Sequence, residues 1–326
     1  MEIIILQNKH LTFGQFLEFV EIRTKLASLF PMFIGFAWTH YYYKHFAWLP
    51  SLIFFLGALC FDMCVTSINN LMDYKKAHDQ TYRDRDNVIG RHKLNETEMT
   101  RIVWILLGFS ILINILLVAL TDPMLLFIGM VFYGIGIAYT YGPFPISRTP
   151  LGEVASGLTM GFGIFFLAVY VTMHNNLLSS KWPAHHLIVD LNWYGILQIL
   201  LMSLPLVCLI ANIMLANNLR DLEQDIRNHR YTLVYYLTRP GGIILYQILS
   251  CIPWLAWLAY ILLGIFPCQA ALAFLGIYPH FKSVGRFNRK MKVENQAATA
   301  FIEALKSFTL FSSIYLISLI LMIIFA

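Results

Sequence analysis

The sequence predicts an all-α integral membrane protein of about nine transmembrane helices, forming a single domain over residues 1–326. Three observations predict it. Hydrophobic residues make up 58% of the 326 and charged residues only 13%, about half the charged share of an ordinary soluble domain. Apolar runs near the roughly 20 residues needed to cross a bilayer recur at 26–43, 47–68, 102–121, 123–141, 152–173, 194–216, 241–265, 267–281 and 307–326, the eighth being the shortest. With the N-terminus inside, nine spans place every one of the 23 Lys and Arg except Lys44 and Lys181 on the inner side, as the positive-inside rule requires. The expected location is therefore a cell membrane crossed many times, with the N-terminus cytoplasmic.

Taken in order, residues 1–11 lack an apolar core with a cleavage site, so no removable signal peptide is expected. Phe13 to Lys25 reads as an interfacial amphipathic lead-in to the first span. Gly134 and Gly136 in the fourth span, and Gly157 and Gly161 in the fifth, read as positions where helices pack closely. The outer loop 174–193, with His174, Trp182, His185 and His186, shows no ligand pattern. Cys60, Cys64, Cys208, Cys251 and Cys268 lie in or beside apolar runs without metal-ligand spacing and read as small buried hydrophobes. Two carboxylates fall within spans, Asp62 in the second and Glu153 at the start of the fifth. An intramembrane carboxylate marks function by default, and for Asp62 a structural hydrogen bond to a neighbouring helix is an equal reading. The net charge of +5 follows membrane topology, so it implies no nucleic-acid partner.

The second span runs into Asn69-Asn70-Leu71-Met72-Asp73-Tyr74-Lys75-Lys76-Ala77-His78-Asp79. On a helix Asn69 and Asp73 lie about 40° apart, and Asp62 about 20° from Asn69, so their oxygens form one stripe. The sixth span ends in a similar pattern, Asn217-Asn218-Leu219-Arg220-Asp221-Leu222-Glu223-Gln224-Asp225, with Asn217, Asp221 and Asp225 at successive four-residue steps. Both stripes fall at inner helix ends. Carboxylate and amide oxygens so arranged suit a hard cation such as Mg²⁺, and two facing stripes would cage Mg²⁺ on a diphosphate. Lys75, Lys76, Arg220, Arg227 and Arg230 lie beside them as donors to phosphate oxygens. An apolar cavity closed by such a cage suits an isoprenoid diphosphate, and aromatic side chains would shelter the allylic cation formed as diphosphate leaves.

These motifs resemble those of the UbiA superfamily of intramembrane aromatic prenyltransferases. Its first motif, Asn-Asp-x-x-Asp with a further Asp, matches Asn69, Asp73 and Asp79, with Asn70 standing where the family has Asp. Its second, Asp-x-x-x-Asp preceded by Asn-Asn and Arg, matches Asn217, Asn218, Arg220, Asp221 and Asp225. The Asp73-Tyr74-Lys75-Lys76 run, Tyr139-Thr140-Tyr141-Gly142-Pro143 and Leu151-Gly152-Glu153-Val154 are most similar to the branch acting on 1,4-dihydroxy-2-naphthoate in menaquinone synthesis. The resemblance implies nine helices around a central cavity with a lateral opening. It also implies transfer of a polyprenyl group from polyprenyl diphosphate to 1,4-dihydroxy-2-naphthoate, releasing diphosphate and CO₂. Asp73, Asp221 and Asp225, with Asn69, Asp79 and Asn217, would hold Mg²⁺. Lys76, Arg220, Arg230 and Tyr139 would contact diphosphate, and Arg23 would reach the acceptor's carboxylate or serve only as an inner anchor. The same motifs leave open 4-hydroxybenzoate or protohaem as acceptor and, in another class, a secondary transporter with paired carboxylates. Transporters set coupling carboxylates near the midplane, whereas these lie at helix ends among basic residues.

Overall fold

A computed structural model describes residues 11–77, 79–181, 186–293 and 297–325. The helices are α1 (Phe13–Phe19), α2 (Leu26–Tyr43), α3 (Trp48–Lys76), α4 (Val88–Arg91), α5 (Glu96–Leu120), α6 (Met124–Thr140), α7 (Gly152–Ser156), α8 (Ile164–Leu177), α9 (Trp193–Arg220), α10 (Leu222–Arg227), α11 (Leu233–Leu262), α12 (Ile277–Met291) and α13 (Ala297–Phe325). Among the described residues, six spans are long and apolar enough on their own to cross a membrane: α3, α5, the stretch Gly152–Leu177, α9, α11 and Thr299–Phe325. They coincide with six of the nine expected spans. α2 and the shorter apolar α6 account for two more.

The eighth expected span, 267–281, is different. A 3₁₀ stretch, Cys268–Gly276, runs directly into α12, so the helical segment continues to Met291. α12 buries His280, Ser283, Val284, Phe287 and Met291, a 3–4-residue spacing that lays one face against α13, and Arg286 and Lys290 flank that face to pair with the buried Glu303 of α13 at 2.8 and 3.1 Å. Hydropathy averaged along the chain is blind to such a face, which is why the apolar run ends at 281 while the helix continues to Met291.

Local chemistry sets the other boundaries. Thr12 and Gln15 form a capping box at α1. Asn95 caps α5, with Glu96 and Glu98 in its first turn. Between α1 and α2 the chain turns at Glu21, held in the left-handed region (φ 50°), and a 3₁₀ turn, Ile22–Lys25, then feeds α2. The lead-in is thus two short pieces. α11 is interrupted at Thr238 (φ 61°), just before Arg239-Pro240, and its helix continues beyond the break through the expected start of the span at 241.

Gly157–Gly163 is wound as a π-helix between α7 and α8 and lies tight against α9. A Cβ on Gly161 would sit 2.6 Å from the backbone of Val207, and one on Gly157 would sit 2.8 Å from the Val207 carbonyl oxygen. A Cβ on Gly136 would approach the Phe61 ring to 2.8 Å, whereas one on Gly134 would meet nothing within 4 Å. Three of the four glycines expected at close contacts make one, and Gly134 does not.

The expected loop 174–193 contains an antiparallel ribbon, β1 (Leu178–Lys181) with β2 (Ile188–Leu191), in the register Leu178↔Leu191. Asp122 anchors it by accepting from Ser180 N at 3.0 Å and Ser180 Oγ at 2.7 Å. Trp182 and His185 lie outside the described residues. Cys64 and Cys208 are buried, but Cys251 and Cys268 are exposed, unlike the buried role expected of all five.

Candidate active site

α3 continues unbroken to Lys76, so Asp62, Asn69 and Asp73 do share one face, and all three line a single cavity of about 1350 Å³. The second motif is less regular than its spacing suggests. α9 ends at Arg220, Asp221 is its C-cap (φ −97°, ψ 9°), and α10 starts at Leu222. The Asp225 N–H still donates to the Asp221 carbonyl at 2.7 Å. This break brings Asp225 into the interior, where it is 6% exposed.

The two motifs meet. Asn69, Asp73, Asn217 and Asp221 line the polar end of the cavity, while Phe54, Phe61, Val65, Phe132 and Leu167 are among its apolar walls. A small recess of about 40 Å³ adjoins it, bounded by Asp73, Asp221 and Asp225 with Tyr82, Arg148 and Arg230. Its wall also includes Gln224 and Asn228.

Each carboxylate of this cluster faces an arginine. Arg220 pairs with Asp221 at two points, Nε to Oδ1 and Nη2 to Oδ2, both 2.6 Å, and donates to Asn217 Oδ1 at 2.7 Å. Arg148 Nη2 reaches Asp73 Oδ1 at 3.4 Å. Arg230 Nη1 lies 3.5 Å from Asp225 Oδ1, and its Nε donates to the Ser147 carbonyl at 3.1 Å. Among the described residues no three Asp, Glu, His or Cys side chains stand close enough to hold a metal ion. The donor set is nonetheless all oxygen, and Asp225 Oδ2 is buried without a hydrogen-bond partner, an uncommitted acceptor of the kind a hard cation takes.

Burial pushes the Asp225 carboxyl up to about 7, helped by the like charges of Asp221 and Asp73 and opposed by Arg230. Burial likewise raises Tyr82, with Asp73 adding to the effect. Glu21, which also lines the cavity, is raised mainly by burial and pulled back by Lys25 and Asn70.

The remaining sequence-selected residues are placed differently. Tyr139 lines the cavity, with a buried hydroxyl that has no partner. Asp79 lies outside both cavity linings. Its Oδ1 accepts from the Thr81 and Tyr82 N–H groups, its own N–H donates to Asn228, and Arg227 stands 3.8 Å away. Lys76 donates to the Gly142 carbonyl at 3.2 Å rather than entering the cavity wall. Arg23 is exposed in the 3₁₀ turn, whereas Lys25, two residues on, is buried. Sequence reasoning missed Arg148, Tyr82 and Gln224. Arg148 carried a signal, being the lone cation of its inner segment, but charge counting used it only for topology.

The chain matches the UbiA prenyltransferase family over residues 28–305. It is 26% identical over 300 residues to the 1,4-dihydroxy-2-naphthoate octaprenyltransferase of Bacillus subtilis (strain 168), an alignment covering 90% of this chain and 87% of that protein. A UbiA homolog from Archaeoglobus fulgidus bound to GPP and Mg²⁺ superposes with a TM-score of 0.64 at 14% identity, over 95% of this chain and 99% of that one. A digeranylgeranylglyceryl phosphate synthase superposes with a TM-score of 0.61 at 12% identity, over 94% and 98%. At such identities the two structures establish a common fold.

Proposed function

The chain belongs to the UbiA prenyltransferase family, and from that premise we propose that it transfers a polyprenyl group from polyprenyl diphosphate to 1,4-dihydroxy-2-naphthoate, releasing diphosphate and CO₂ and giving demethylmenaquinol. The observation that carries this reading is the meeting of Asp73 and Asp221, from two distant helix ends, at the polar end of an otherwise apolar cavity. The acceptor is chosen on the naphthoate octaprenyltransferase relative and the Tyr139-to-Val154 segment.

Asp73, Asp221 and Asp225, with Asn69 and Asn217, are the residues to hold Mg²⁺, and Asp79 would act beside them. Bound there, the ion would supply Lewis-acid neutralisation of the leaving diphosphate. Arg220, Arg148 and Arg230 are each positioned to exchange a carboxylate for a phosphate oxygen, which guanidinium groups match in geometry. The Tyr139 hydroxyl is a further donor to that head group. The apolar walls exclude water while the C–O bond to diphosphate breaks and the allylic carbon joins the naphthoate ring, from which CO₂ departs. The lipid bilayer is the source of the prenyl donor, and both motifs face the cytoplasm in this reading.

The test is transfer of label from farnesyl diphosphate in membranes containing the chain, with 1,4-dihydroxy-2-naphthoate, 4-hydroxybenzoate and protohaem supplied separately. A prenylated product from the naphthoate alone, dependent on Mg²⁺, is expected. Product from either other acceptor alone would reassign the substrate, and no diphosphate release with any of them would defeat the enzymatic reading.

A further inference from the structure

Among the described residues, Asp62 is the one charged side chain of the cavity wall that lies inside a span rather than at its end. It sits on the same face of α3 as Asn69, about 10 Å deeper along the helix. Lys25, 2% exposed, spends its donors on this group, with Nζ reaching Asp62 Oδ1 at 3.0 Å, the Asp62 carbonyl at 3.2 Å and Thr66 Oγ1 at 2.5 Å. Ser28 Oγ donates to Asp62 Oδ2. The ammonium has three donors and all are used. The carboxylate has about four acceptor sites, and these contacts occupy two of them, while its remaining surface opens into the cavity beside Ser28 and Thr66. A bolt serving only to join α2 to α3 would be closed over by packing, and this one is not. Next to it the Phe61 ring, stacked on Tyr133 with centroids 3.9 Å apart, offers a flat apolar face on the same wall.

We propose that Asp62, braced by Lys25 and Ser28, positions the aromatic acceptor by taking a hydrogen bond from its ring hydroxyl. This rests on the acceptor reading above and deepens it. A carboxylate at this depth repels the acceptor's own carboxylate, so the acid group must point the other way, toward the arginines at the inner end. The carbon bearing it then faces the place where the allylic carbon loses diphosphate. For 1,4-dihydroxy-2-naphthoate the hydroxyl left for Asp62 is the one at ring position 4, remote from the acid group. Asp62 is a positioning group here, and no proton need leave the hydroxyl.

The test is a comparison of affinities in the purified full chain with Mg²⁺, using 1,4-dihydroxy-2-naphthoate, 4-hydroxy-2-naphthoate, 1-hydroxy-2-naphthoate and farnesyl diphosphate. Asp62→Asn should weaken the first two by roughly 10- to 100-fold, the range for a lost hydrogen bond to a charged group. It should leave 1-hydroxy-2-naphthoate and farnesyl diphosphate unchanged. Because breaking one side of a buried pair destabilises while replacing both sides is tolerated, the double variant Lys25→Leu with Asp62→Leu provides the same comparison if the single variant misfolds. Equal weakening of all three naphthoates, or of none, overturns the proposal and leaves the acceptor reading standing. Failure of the unaltered chain to bind any naphthoate while it binds farnesyl diphosphate overturns both.

Discussion

Arg220 grips Asp221 at two points of 2.6 Å each while its guanidinium lies 4.9 Å over the Phe301 ring. The ring and the carboxylate fix the plane of a fork that matches phosphate as well as it matches Asp221. Arg220→Lys keeps the charge but loses the fork and the stacking. It should weaken farnesyl diphosphate binding more than it lowers turnover at saturation. Asp221→Asn should instead lower turnover by roughly 10²–10³-fold, as loss of one group of an electrostatic site does. Prenyl transfer at matched protein level and saturating Mg²⁺ checks both, and near-normal activity of Asp221→Asn would sink the two-motif site.

Asp225 makes the site sensitive to pH. Its folded value is raised to about 7 by burial, so between the ordinary carboxylate range and pH 7 the folded chain holds a proton that the unfolded chain has released. That contribution favours folding at low pH and is lost as pH rises toward and through 7. A cation must displace the same proton, so the Mg²⁺ needed for half-maximal transfer should rise as pH falls below 7. Asp225→Asn should flatten both trends. Thermal unfolding without metal and Mg²⁺ titrations of activity, each at several pH values from 5.5 to 8, read them separately. A wild-type Mg²⁺ requirement that is independent of pH would show that Asp225 is not a ligand.

Asn70 stands where the family has Asp, and its side chain has another task. Its Nδ2 donates to the Phe19 carbonyl at 2.9 Å, and Asn87 Nδ2 donates to the Asn70 carbonyl at 2.9 Å, fastening α1 and α4 to α3. Asn70→Asp would set a carboxylate oxygen against a carbonyl oxygen. The expected cost is about 1–3 kcal/mol, that of a buried polar group left unpaired, seen as a lower unfolding temperature and faster proteolysis around residues 13–25. A gain in Mg²⁺ affinity with unchanged stability would contradict this.

Gly161→Ala should destabilise by about 1–3 kcal/mol, the penalty for overpacking, because the new methyl would press on the Val207 backbone 2.6 Å away. Gly134→Ala has open space and should change stability by less than about 0.5 kcal/mol. Unfolding of the two variants in one detergent gives the contrast directly, and equal effects would mean that α9 does not pack on the π-helical stretch as described.

Orientation follows from charge. Cysteines at Arg85 and Arg289 should react with an impermeant thiol reagent only from the cytoplasmic face, and one at Lys181 only from outside. These three side chains are exposed. Labelling of position 181 from the cytoplasm would place the site on the wrong side for soluble Mg²⁺.

Membrane class, the placing of six of the spans and the two Asn/Asp stripes were legible in the chain itself. Each depends on composition and periodicity within about 20 residues, and helix geometry turns such a pattern into a face without reference to the rest of the fold. What only the tertiary structure decided lies between segments far apart in sequence. Asp73 meets Arg148 across 75 positions and Lys25 meets Asp62 across 37, and no local pattern encodes those distances. The break at Asp221 that turns Asp225 inward, the continuation of the eighth helix through α12, and the use of Asn70 as a fastening are of the same kind. In each case a side chain's role was settled by which neighbour packing brought within hydrogen-bonding or van der Waals range.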